Sequence, residues 1–134
     1  MQAVPTKKTN EKITMLLDYS NTYKNAKIRY YASNMKLHVN SDAAYLVAPK
    51  AKSRIVGYFD CSNRSKASPP TQPLNGSLHV ECKILRHVVV STADAETAGV
   101  FHNCQTALHL KRMLTVLSHP QNATPVKTDS GTAA

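Results

Sequence analysis

Residues 37–47 read LHVNSDAAYLV. Leu37 and Val39 alternate with polar neighbours in the period of two that marks a half-buried strand. Asp42 then falls just before a second apolar run, Ala43 to Val47. A carboxylate beside core residues costs free energy unless it is paired, hydrated or bound to a cation. The chain has 8 Asp and Glu against 17 Lys and Arg, a net charge of +9. An acid at this position therefore asks for a reason.

The same period extends outward. IRYYAS (28–33) and MKLHVNS (35–41) flank the turn-like pair Ser33-Asn34, which predicts a hairpin or two successive strands. SRIVGYFDCS (53–62), rich in Ile, Val, Tyr and Phe, predicts a further strand. NRSKASPPTQPLNGS (63–77) holds three of the seven prolines and Asn75-Gly76, and reads as a loop. LHVECKILRHVVVS (78–91) predicts another strand, with the run Val88 to Val90 buried on both faces.

Helical spacing appears on either side. EKITMLLDY (11–19) places Ile13, Leu16 and Leu17 on one stripe, predicting a short packed helix capped by Thr9 or Asn10. Downstream, Ser91-x-x-Asp94 has capping-box spacing. Phe101, Cys104 and Leu108 form a stripe that Leu110, Met113, Leu114 and Leu117 continue, and His119-Pro120 ends the helix. VKTDS (126–130) then predicts a brief last strand. A strand reached through a crossover helix runs parallel to its sheet neighbour. The expected fold class is α/β, with a mixed sheet.

Composition bounds the rest. With 134 residues and 42% hydrophobic content, one globular domain with a real core is expected. The positive charge points to an anionic partner, above all nucleic acid; solvated lysines are the plainer reading. Three scattered cysteines are poor material for a disulfide framework and favour a reducing, intracellular setting. No apolar run approaches the roughly 20 residues of a membrane helix, so no membrane partner is expected. No G-x-S-x-G or phosphate-loop motif is present. His102, Cys104 and His109 make a weak case for zinc, because residues two apart do not share a helix face.

Asp42 near a strand end, Glu96 in the first turns of the long helix and Asp129 at the end of the last strand occupy related places. If the last strand lies beside that of Asp42, both aspartates project from one sheet edge, and the helix brings Glu96 over them. Three such carboxylates repel and raise one another's pKa values unless a cation neutralises them. Oxygen ligands without His or Cys favour Mg²⁺ or Mn²⁺. Each acid also has a plainer reading: Asp129 as a turn residue, Glu96 as a first-turn acid suited to the helix dipole, and the nearby Asp94 as a cap.

Four stretches do more than periodicity can. Ser41-Asp42-Ala43, Ser53-Arg54 with Gly57-Tyr58, Ser91-Thr92-Ala93-Asp94-Ala95-Glu96, and Asp129-Ser130 occur in order from about residue 35 onward. Together they resemble the ribonuclease H region of copia-type long-terminal-repeat retrotransposon polyproteins. In that family a strand carries Ser-Asp-Ala, a second Arg-Ser-x-x-Gly-Tyr, a helix opens Ser-(Ser/Thr)-x-Glu-Ala-Glu, and a later strand ends in Asp-Asn or Asp-Ser. The helix near the start and NAKIRYYASNM resemble the segment joining polymerase to ribonuclease H.

The resemblance implies a lead-in and connection over 1–34 and a ribonuclease H-like domain over 35–134, with Asp42, Glu96 and Asp129 matching three of the family's four metal-binding acids. It implies hydrolysis of the RNA strand of RNA–DNA hybrids with two metal ions about 4 Å apart. Lys50, Lys52, Arg54, Lys83 and Arg86 become candidates for holding hybrid phosphates. The family's fourth acid lies on a later helix that this sequence does not reach, so the resemblance also implies a domain cut short, an incomplete site and weak or absent activity. Asp94 departs from the family's Glu, and Lys83-Ile84-Leu85 from a more polar stretch. A non-catalytic nucleic-acid-binding module on the same scaffold is the alternative.

Overall fold

β1 (Leu37–Ala48) runs unbroken through Asp42, so the apolar runs on either side of the acid belong to one strand. It pairs antiparallel with β2 (Lys52–Cys61), which pairs antiparallel with β3 (Ser77–Ile84). The long helix, Thr92–Val116, leads to β4 (Val126–Lys127), which lies parallel to β1. The strand order is β3-β2-β1-β4, an α/β architecture with a mixed open sheet and one parallel pair. This computed structural model describes residues 5–63 and 75–129. Most of the proline-rich stretch read as a loop lies outside them.

Alternation along the strands decides which face is buried. Leu37, Val39 and Ser41 of β1 and Ile55, Gly57 and Phe59 of β2 face the long helix, each buried. One core cluster joins Leu37, Val39, Phe59 and Cys61 to Ala107 and Leu114; a second joins Ile55, Leu85, Val89 and Ala95. The helix approaches closely because its sheet-facing residues are mostly small: Ala95, Gly99 and Ala107, with Asn103 between. Gly57 meets it. A Cβ there would stand 2.3 Å from Asn103 Oδ1 and 2.7 Å from the Phe59 ring. Asn103 Nδ2 donates to Ser41 Oγ (2.8 Å) and to the Val56 carbonyl (2.9 Å), pinning the helix to β1 and β2.

Four expectations need correction. The helical stripe expected inside is turned outward at Phe101 and Leu108, 61% and 57% exposed, because small residues give the tighter seat on the sheet. Val88 and Val90 are exposed as well. β3 ends at Ile84, and beyond it only Leu85 and Val89 turn in.

IRYYAS forms no strand. Its polar groups go instead to the start of β3: Tyr31 N donates to Asn75 Oδ1 (2.7 Å), and Gly76 N to the Arg29 carbonyl (2.8 Å). The edge of β1 is taken by β4, with Val39 N donating to the Pro125 carbonyl.

The first helix, α1, spans Lys7–Thr22 and starts earlier than expected, capped by Thr6 in a reciprocal box with Thr9. None of its residues is buried, Ile13, Leu16 and Leu17 included. The long helix is α2. Its cap is Ser91, which accepts from Asp94 N, while Asp94 Oδ2 accepts from Val90 N. Asp94 is thus a capping residue. All three cysteines are free.

Candidate metal centre

Three elements bring the acids together. β4 pairs with β1 through Val39–Val126 and Asn40–Lys127. Carried two positions further, that parallel register sets Asp129 level with Asp42. Beyond Asn40 the pairing with β4 ends, which opens the edge of β1. Glu96, on the second turn of α2, enters there, and its Oε1 accepts the freed Ala43 amide at 3.2 Å. One carboxylate oxygen each from Asp42, Glu96 and Asp129 then lies within 4.8 Å of the others. Oxygens on opposite sides of one Mg²⁺ stand about 4.2 Å apart, and of one Ca²⁺ about 4.8 Å. The spacing suits a divalent ion held directly or through water.

Burial differs across the trio. Asp42 and Asp129 are exposed, whereas Glu96 is 5% exposed. Glu96 Oε2 is buried with no hydrogen-bond partner among the described residues, the condition a cation would relieve. Burial pushes the Glu96 carboxyl above its ordinary value of 4.5, and the charges of Asp129 and Asp42 add to the rise; the Ala43 amide and the Thr128 side chain oppose it. The acids therefore fit a hard divalent cation, and this cluster could hold one.

The raised carboxyl has a sign that can be measured. In the folded protein Glu96 holds its proton to higher pH than in the unfolded chain. Stability without a cation should thus be fullest below pH 4.5 as far as this group goes, and decline as pH rises through the elevated value. Urea unfolding across that range should show the decline in wild type, a flatter profile in Glu96→Gln, and its suppression by added Mn²⁺. An unchanged profile in Glu96→Gln would remove Glu96 as its source.

The five basic candidates gather at one end of the sheet. Lys50 lies in the β1–β2 turn, Lys52 and Arg54 at the start of β2, Lys83 near the end of β3, and Arg86 just beyond. Arg54 pairs with Ala44 and Ile84, on the same face as Asp42 and Val56. Lys83 is on the opposite face, in an ion pair with Glu81, whose other oxygen accepts from Thr106. It is thus the least available of the five. The zinc reading finds another arrangement: His102 stacks near His87, ring centroids 6.2 Å apart. Among the described residues, the acid trio is the group of three or more potential ligands that converges.

Two contributors escaped the sequence reading. The Ala43 amide has no side-chain signature, and Asn103, which holds Ser41 beside Asp42, reads locally as one more polar helix residue. No helix of the described residues is long and apolar enough to cross a membrane. Comparison of the chain with protein-family models, with curated proteins and with solved structures returned no match.

Proposed function

We propose that the chain is a ribonuclease H-like module of copia-type retrotransposon descent, whose acid trio takes Mg²⁺ or Mn²⁺ and whose basic end engages RNA–DNA hybrid. The convergence of Asp42, Glu96 and Asp129 on one point carries the reading. The strand order supports it: three antiparallel strands, a crossover helix, then a short strand parallel to the first. So does the order of the four motifs along the chain.

In this reading Asp42 and Asp129 present carboxylates at the sheet edge, and Glu96, anchored by the Ala43 amide, closes the site from the helix side. A bound divalent ion would supply Lewis-acid stabilisation of phosphate oxygens and activation of water. Lys50, Lys52, Arg54 and Arg86 hold the hybrid by its phosphates, with strand choice resting on 2′-hydroxyls and helix shape. Among the described residues three acids converge where the family uses four, so cleavage by this chain is expected to be weak or absent while binding persists.

Incubation of the purified chain with a labelled RNA–DNA hybrid and Mg²⁺ tests this. The expected result is hybrid binding that weakens steeply with salt, with cleavage near background. Mg²⁺-dependent cleavage lost in Asp42→Asn would show a working nuclease and overturn the weak-activity expectation. Binding indifferent both to Asp42→Asn and to Mg²⁺ would favour the non-catalytic module. Failure to bind hybrid at low salt would sink both readings.

A further inference from the structure

β3 is an outer strand: β2 lies on one side, and among the described residues no strand lies on the other. Leu85 N donates to the Ser53 carbonyl at 2.9 Å. In an antiparallel ladder that direction alternates, so the backbone groups of Glu81 and Lys83 face β2 while those of Val80, Cys82 and Ile84 face away. The side chains of these three residues are exposed. Such an edge is a template for another strand. Natural edges often defend themselves with lysine. Here the charge of Lys83 is already matched by Glu81, and that defence is cancelled.

The sequence of this edge is complementary to itself. With Cys82 opposite Cys82 of a second antiparallel copy, Val80 faces Ile84 and Glu81 faces Lys83, and symmetry repeats both pairs. Apolar residues then meet on the uncovered face of the sheet and opposite charges on the helix-covered face. Moving the centre by one residue sets Glu81 against Glu81 or Lys83 against Lys83, and like charges directly opposite are destabilising.

We propose that the chain forms a symmetric homodimer by antiparallel β3–β3 pairing centred on Cys82, joining two four-stranded sheets into one. The outward amides and carbonyls of Val80, Cys82 and Ile84 find partners in the second copy. The two-fold relation closes the contact. At the far edge β4 is only two residues long, too short to propagate the assembly.

Light scattering of the full chain over a wide dilution series tests this. The mass should rise from 14.7 kDa to about twice that value as concentration increases. Val80→Pro removes an outward amide without touching the β2–β3 ladder, a place where an edge proline is tolerated; it should stay monomeric at every concentration and melt like wild type at dilutions where wild type is itself monomeric. Lys83→Glu should also be monomeric, and adding Glu81→Lys should restore the dimer by exchanging the charges. A short bifunctional thiol reagent should join two wild-type chains through Cys82 and fail with Cys82→Ser. Wild type that stays monomeric at every concentration overturns the proposal. So does a dimer that survives both Val80→Pro and Lys83→Glu. Should Val80→Pro fail to fold, the Lys83→Glu and exchanged-charge pair decides alone: a dimer in the first, or none in the second, overturns it.

Discussion

Asp42→Asn is expected to weaken Mn²⁺ or Mg²⁺ binding by roughly 30-fold. The attraction between a carboxylate and a divalent ion about 4 Å away is ~2 kcal/mol even at the dielectric of water, and 1.4 kcal/mol is a factor of ten. Asp42 is exposed, so the water-like figure applies and the fold should survive the change. Asp129→Asn should behave alike, because its carboxylate faces the same point. Titration calorimetry gives the affinities, and the rise in thermal midpoint with added ion gives an independent check, since a ligand that binds only the folded state stabilises it. Equal affinities in wild type and both variants would show that the trio is not the binding site.

Phe59→Ala is expected to cost about 3–5 kcal/mol. The ring is fully buried among Leu37, Val39, Ala107 and Leu114, where β1, β2 and α2 meet. It also lies against the His79 ring, centroids 5.4 Å apart. Domains of this kind are stable by only about 5–15 kcal/mol, so the variant should lose much of its urea midpoint or fail to fold cooperatively. A loss below about 1 kcal/mol would mean that the cluster is not the centre of the core.

Much of this architecture could be read from residue order, and the failures share one cause. The Ile, Val, Tyr and Phe of SRIVGYFDCS marked β2, the strand after α2 proved parallel to β1, and Ser91 proved to be the helix cap. Asp42 and Asp129 come together because a parallel register is rigid: once Val126 lies beside Val39, the position of Asp129 follows. Periodicity shows that an element has a face without showing what lies opposite. Two stripes of α2 recur at the same spacing, and the one with Phe101 and Leu108 is more apolar, yet the sheet takes the one with Gly99 and Ala107. That choice depends on Gly57, forty-two positions away from Gly99 in sequence and flush against Asn103 in space. The stripe of α1 misled in the same way: its apolar residues are left exposed by the described residues. Glu96 was reachable as a candidate, but its link to the Ala43 amide belongs to the tertiary structure alone.

The shortness of β4 has a mechanical consequence. Asp129 rides on a strand fastened to its neighbour through two residue pairs, the lightest attachment in the sheet. An ion gripping Asp42 and Asp129 together would act as a clasp across that seam. Cation release should therefore loosen the tail first, and amide exchange at Val39, which donates to the Pro125 carbonyl, would report occupancy of the site before any change reaches the interior.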